Sequence, residues 1–282
     1  MGTFPSRQSA APKNVEKEVM SQGETPSFQT SSSSGLLKNT PHAVFACLPP
    51  EDVHHIEQVD WGNLQPKTVR QDPCGCTAPS PGLLCCTDES CVSFACQEEC
   101  GSNCVSQCGN RRIRNKQWKR VQVFDAGPKK GRGLRALEPI QKGEFIIEYV
   151  GKAIRKKDLD SLFDSYQMER MLYVMSLDGD IYLDARKSGG LARYINHSCQ
   201  PNCKVDRWKV SGVSRAALFA TADIPTRGEL TIDYKWIQKR GRAPTKCHCQ
   251  SLSCRGTLEL SITNDQSKFN AHLEGHWRVP KS

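Results

Sequence analysis

The stretch RYINHSCQPNC, residues 193–203, decides how this chain is read. It sets Asn196, His197, Ser198 and Cys199 side by side, then repeats Asn and Cys at 202 and 203. A Cys near a His admits three chemistries: a nucleophile with its base, a metal ligand, or one wall of a cofactor pocket. With only Ser198 between them, His197 and Cys199 are poorly spaced as a nucleophile and base, which favours the metal and pocket readings.

Working outward, the chain holds 15 cysteines in 282 residues. It has no apolar run of about 18 residues that could span a membrane. Its start lacks a basic segment leading into an apolar core, so no secretory signal is expected. With no route to an oxidising compartment, metal binding is the leading expectation for the cysteines and disulfides are not expected. Nine cysteines fall within residues 74–108, a segment with almost no hydrophobic periodicity that should fold around metal. The spacings Cys74-x-Cys76, Cys86-x4-Cys91 and Cys100-x3-Cys104-x3-Cys108 suit tetrahedral zinc. Seven thiolates hold two ions if one sulfur bridges, nine could hold three, and Cys85 and Cys96 decide between these. A second group, Cys247-x-Cys249-x4-Cys254, is one ligand short, and Cys199 or Cys203 is the source expected to complete it. Cys47 stands alone and reads as a free thiol.

The rest of the chain divides by composition. Residues 1–45, rich in Ser, Thr, Pro, Gln and Lys, read as a disordered tail. Residues 46–73 form an N-terminal extension whose Val53, Ile56, Val59, Trp61 and Leu64 are expected to pack loosely on the domain C-terminal to them. After the cysteine-rich module (74–118), residues 119–236 break into short strand-like runs: 121–124, 144–151, 173–177, 180–185, 204–210 and 215–221, with Ser211-Gly212 as a hairpin turn. Helical spacing of Leu159, Leu162, Phe163, Tyr166 and Met171 predicts one helix over 156–172. A linker (237–246), a second cysteine module (247–260) and a polar C-terminal tail (261–282) complete the chain. The formal net charge of +9 favours polyanionic partners. Two basic stretches, RRIRNKQWKR (111–120) and the cations Lys235, Lys239, Arg240, Arg242, Lys246 and Arg255, are candidate DNA contacts, with a solvated basic face as the plain alternative.

Several motifs then fall in one order. GRGLRA (131–136), RYINHSCQPNC (193–203), GELTIDY (228–234) and CHCQSLSCRG (247–256), with the seven-cysteine spacing and GNRR (109–112) upstream, resemble the SET-domain protein lysine methyltransferases. The last motif resembles their post-SET zinc module, and the upstream cysteines resemble the associated-with-SET module of enzymes acting on the lysine-36 position of histone H3. The resemblance implies a mainly β fold with few helices, made of small sheets with a knot-like C-terminal threading and flanked by zinc-stabilised loops. It also implies S-adenosylmethionine as methyl donor and about three zinc ions.

The resemblance assigns roles residue by residue. Tyr234 and Tyr173 are implied as catalytic tyrosines. Gly131, Arg132, Gly133, Met171, Leu172, Tyr173, Arg193, Asn196, His197 and His248 are implied along the cofactor. Zinc ligands are implied at Cys74, Cys76, Cys86 and Cys91; at Cys86, Cys100, Cys104 and Cys108, with Cys86 bridging; and at Cys199, Cys247, Cys249 and Cys254. Arg132, Ile232 and His248 stand where relatives often carry aromatics. Ile232 offers no hydroxyl to hold a water, so more than one methyl is sterically allowed, and His248 implies weaker cofactor binding.

The chemistry suits these residue types. An ammonium of ordinary pKa about 10.4 must lose its proton before it attacks, which an apolar lysine channel favours. Holding nitrogen, carbon and sulfur in line supplies several kcal/mol, on the order of 7–11 in the best intramolecular cases. The expectation is a nuclear, chromatin-associated, monomeric enzyme acting on a histone tail in nucleosomes. The rivals are a SET enzyme for another histone or non-histone lysine, and a zinc-stabilised chromatin-binding module whose transferase site has decayed.

Overall fold

A computed structural model describes residues 43–45, 53–66, 68–165, 173–237 and 243–260, with 43–45, 162–165 and 237 by backbone alone. The expectations for Cys47, for most of both tails, for 166–172 and for linker residues 238–242 lie outside the described residues.

The core is built of short β-strands in small sheets, with two short α-helices among the described residues. The first sheet pairs Val121–Asp125 antiparallel with Arg132–Ala136. Alternation puts Val121 and Val123 wholly inside, against Leu134 and Ala136, which are likewise fully buried. Ala43–Phe45, at the end of the expected N-terminal tail, adds to this sheet in parallel.

The second sheet orders Cys203–Val210, Val213–Ala220 and Phe145–Tyr149. Ser211 and Gly212, at φ +52° and +79°, make the expected two-residue hairpin and pair Val210 with Val213. Phe145–Tyr149 is buried at every position, as a strand covered on both faces must be. A third sheet joins Gly151–Arg155, Ile181–Gly189 and Val174–Asp178. The helix runs Lys156–Ser165 with Leu159 buried.

Two sequence expectations are corrected. The extension at 53–66 does not pack loosely. His54–His55 pairs in parallel with Ser188 and Gly189, Asp60 exchanges backbone hydrogen bonds with Gly151 and Ala153, and Val59 is buried in the main core. GELTIDY (228–234), whose resemblance implies a strand carrying the catalytic tyrosine, is a strand only at Thr231–Ile232, parallel to Asn196–His197. Its segment changes partner midway: Glu229 bridges to Arg135 and the Leu230 amide donates to Leu134 O before the pairing with 196–197 begins. Left-handed Arg227 (φ +69°) and Lys235 (φ +50°) bracket it, so neither ladder can lengthen.

The cysteine-rich module adds to the strand Cys203–Val210. Lys209 exchanges backbone bonds with Gln97 and Glu99. Phe94 packs edge-on against Trp208 at 5.2 Å, and the Arg112 guanidinium lies 5.2–5.3 Å from the ring centres of Phe94, Trp208 and Phe219.

Candidate active site and metal centres

The parallel pairing of Thr231–Ile232 with Asn196–His197 brings the two central motifs together. Tyr234 leaves that strand with its hydroxyl donating to Ile195 O at 2.9 Å and its amide donating to His197 Nδ1 at 3.1 Å. Because Nδ1 accepts, the His197 proton sits on Nε2, which lies 3.3 Å from Cys199 Sγ. Burial holds His197 below its ordinary pKa although Asp233 Oδ1, 3.5 Å from Nδ1, pulls the other way, so the ring is neutral. Burial also pushes the Tyr234 phenol above its ordinary range, leaving a protonated hydroxyl.

Asn196 is buried and ties the glycine motif to this centre. Its Nδ2 donates to Glu229 Oε1 at 3.0 Å and to Arg132 O at 3.3 Å. Gly133 faces it so closely that a Cβ there would lie 3.0 Å from Asn196 Nδ2 and 2.8 Å from the Phe124 ring. Gly131 takes φ +70°, which few other residues tolerate, and the Arg132 side chain is exposed. On the other side, Arg193 is buried with its guanidinium 4.0 Å from the Tyr173 ring centre, and its Nε donates to Ala185 O at 2.8 Å. Its Nη1 is buried without a hydrogen-bond partner among the described residues. The Tyr149 hydroxyl donates to Tyr173 O at 3.0 Å and fixes that backbone. His248 is half-buried between Cys247 and Cys249, and Met171 and Leu172 lie outside the described residues.

Reading the sequence for motifs assigned no role to three neighbours of this centre, Trp236, Glu229 and Asp233. Trp236 stacks on Tyr234 at 5.2 Å and 30°, while Ile232 is buried in the main core. Glu229 holds Asn196 and pairs with Lys130 at 2.6 Å. Asp233 pairs with Arg255. Glu229 and Asp233 lie inside the GELTIDY motif without a role assigned to them there, and Trp236 lies two residues beyond it.

Three sets of four cysteines bring their sulfurs within 4.8 Å of one another: Cys74, Cys76, Cys86 and Cys91; Cys74, Cys86, Cys100 and Cys104; and Cys199, Cys247, Cys249 and Cys254. The third joins Cys199, not Cys203, to the C-terminal trio. In the upstream cluster both Cys74 and Cys86 fall in two sets, with Cys74 Sγ 3.5 Å from that of Cys104, and Cys108 lies beside Cys100 and Cys104 outside the tight grouping. Cys85 Sγ is 3.4 Å from Cys86 Sγ but in neither set, and Cys96 is exposed.

The donor chemistry fits a divalent metal. Four soft sulfurs in a small space suit tetrahedral zinc. Amides of Arg255, Gly256 and Cys249 donate to the sulfurs of Cys199, Cys254 and Cys247 at 3.3–3.4 Å, as they do to thiolates. Without a cation the sulfurs share protons unevenly. Burial pushes Cys247 up to about 12, whereas Cys249, despite burial, is held down at about 5 by hydrogen bonds with Cys199 and Ser251. A bound cation would hold all four as thiolates.

The basic run 111–120 is engaged by other residues of the chain, with Lys116 and Arg120 paired at the surface. Arg111 donates to Gly101 O and Cys104 O, Arg112 caps its three rings, Arg114 reaches Gln71 and Ser211, and Lys116, Lys119 and Arg120 pair with Glu57, Glu144 and Glu138. Arg255 is also paired.

Residues 131–235 match the SET domain family, so the chain carries a SET domain. Its relatives include the H3 lysine-36 specific histone-lysine N-methyltransferase of Mycosarcoma maydis, 31% identical over 94% of this chain and 29% of the relative. Human histone-lysine N-methyltransferase SETD2 is 35% identical over 70% of this chain and 8% of its own length, and Arabidopsis thaliana histone-lysine N-methyltransferase ASHH2 is 35% identical over 66% and 11%. The chain thus spans less than a third of each of these relatives. The crystal structure of the methyltransferase domain of human SETMAR shares the fold, with TM-score 0.60 and 24% identity over 77% of this chain and 92% of that one.

Proposed function

We propose that this protein transfers methyl groups from S-adenosylmethionine to a histone lysine, the lysine-36 position of histone H3 in nucleosomes, acting as a monomer in nuclear chromatin. One observation carries the reading: a protonated Tyr234 hydroxyl is anchored on Ile195 O, beside the Asn196–His197 strand and the pair of buried Arg193 with half-buried Tyr173.

The residues present fit the cofactor. Gly131 leaves open space beside a left-handed backbone and Gly133 packs on Phe124 and Asn196, Asn196 is held in place, and Arg193 Nη1 is an uncommitted buried donor. S-adenosylmethionine supplies an electrophilic methyl on a sulfonium sulfur. The chain supplies position and desolvation. Tyr234, giving its own proton to Ile195 O, keeps its oxygen lone pairs for a lysine amine or the polarised methyl. Tyr149 and Arg193 hold Tyr173 opposite. The aromatic surround of Tyr173, Tyr234 and Trp236 favours the neutral amine. Ile232, with no hydroxyl, supports addition of more than one methyl. The three cysteine sets are proposed to hold zinc in a structural role, within the 74–118 and 247–260 modules flanking a domain at 119–236. DNA contact, with the 111–120 cations engaged, is proposed for the 235–246 segment.

Labelled S-adenosylmethionine supplied with nucleosomes tests this reading. Wild type should label histone H3, and both Tyr234→Phe and replacement of lysine 36 of H3 by alanine should abolish the label. Mass spectrometry of the product should find more than one methyl. Label that survives the histone substitution would favour another lysine, and no transfer by wild type to nucleosomes or free histone would favour the binding-module reading.

A further inference from the structure

Asp233 and Arg255 flank Tyr234, yet the chemistry above does not use them. Arg255 Nη1 donates to Asp233 Oδ2 at 2.7 Å and Nη2 to Oδ1 at 2.9 Å, a two-pronged pair. Nη2 also reaches Leu258 O at 3.3 Å, and the Arg255 amide donates to Cys199 Sγ at 3.3 Å. Asp233 Oδ1 in turn accepts from the Lys235 amide at 3.0 Å, where the backbone turns through a left-handed conformation. A single carboxylate therefore fixes the residues on both sides of Tyr234. A single arginine holds that carboxylate while its own backbone sits on the cysteine set.

The pair is partly exposed, at 27% and 18% of the side chains, so it adds little to global stability. A planar fork supplies direction instead, since two parallel bonds fix both distance and orientation. The C-terminal module meets this centre at two further points: Cys199 Sγ lies 3.8 Å from Cys247 Sγ, and Trp236–Ile237 runs parallel to Glu259–Leu260. Of the three contacts, the arginine fork is the one that grips the residue next to Tyr234.

We propose that the Arg255–Asp233 fork is a positioning device that sets the Tyr234 hydroxyl, so that closure of the 247–260 module aligns the reacting centre. The role rests on the methyltransferase reading. Arg255 and Asp233 are positioning residues and touch neither substrate nor cofactor.

The full-length chain tests it. Arg255→Lys keeps the charge and removes the fork, and Arg255→Ala removes both. Zinc content, kcat and KM measured separately, and amide exchange over 231–237 are the readouts. The expected result is unchanged zinc, KM for nucleosomes little changed, kcat lowered roughly ten- to a hundredfold in both variants, and faster exchange over 231–237. Asp233→Asn should resemble them, and Asp233→Asn with Arg255→Ala should be no worse than the worse single variant. Unchanged kcat and exchange in both Arg255 variants would overturn the proposal. So would additive losses, or loss of zinc in step with kcat. If wild type transfers no methyl, the methyltransferase reading fails separately, and exchange over 231–237 still decides whether the fork holds the Tyr234 segment.

Discussion

Cys203, the second cysteine of RYINHSCQPNC, belongs to none of the metal-holding sets. It opens the strand Cys203–Val210, pairs with Ala220 and is 1% exposed. Burial pushes its thiol up to about 12, against 9.0 for a free thiol. Because the folded value is raised, the contribution to stability is complete below pH 9 and is lost as pH rises from 9 through 12. Urea unfolding of wild type and Cys203→Ala between pH 8 and pH 11 should show wild type losing more stability than the variant over that window. At this scale the motif named Asn196, His197 and Cys199, and GELTIDY named Tyr234, which the fold brings beside them. Neither could assign a role to Trp236, Glu229 or the Asp233–Arg255 fork, because a charge pair between distant residues, or a ring stacked two positions on, leaves no periodic trace in sequence.

Strands were legible where their burial alternates or is complete, as at 121–125, 145–149 and 213–220, since side-chain period follows the pleat. The hairpin at 211–212 followed from Ser-Gly. What escaped were features that a partner, not a pattern, defines: the two-residue ladder at 54–55, and the short extent and parallel partner of 231–232. Gly151 illustrates the same dependence. It follows Phe145–Tyr149 and opens the next strand at a register shift. A Cβ there would lie 2.8 Å from the carbonyl carbon and oxygen of Asp184 and 3.0 Å from the Ala185 nitrogen, all backbone atoms that cannot give way. Gly151→Ala should therefore destabilise by about 1–3 kcal/mol, read from urea unfolding.

Over the whole molecule, the cysteine spacing predicted that residues 74–108 and 247–254 gather around metal, and the fold places six of the nine upstream sulfurs and all three downstream ones in sets that a single ion could bridge. Which cysteines share was not legible, because spacing along a chain does not fix the folding of the loops between. Chelation should abolish methyl transfer and speed amide exchange first over 74–110 and 243–260, while the strands 203–220 and 145–149 keep most of their protection, as measured by hydrogen exchange.

The backbone bonds of Lys209 to Gln97 and Glu99 also set an order of assembly. As the chain emerges from a ribosome, the cysteines at 74–108 appear long before the hairpin they lean on. Until residues 203–220 are out, Phe94 and Arg112 lack the Trp208 and Phe219 rings that they cover in the finished fold. Metal captured early would be held by a module that gains its seat on the strand Cys203–Val210 only once that hairpin has formed.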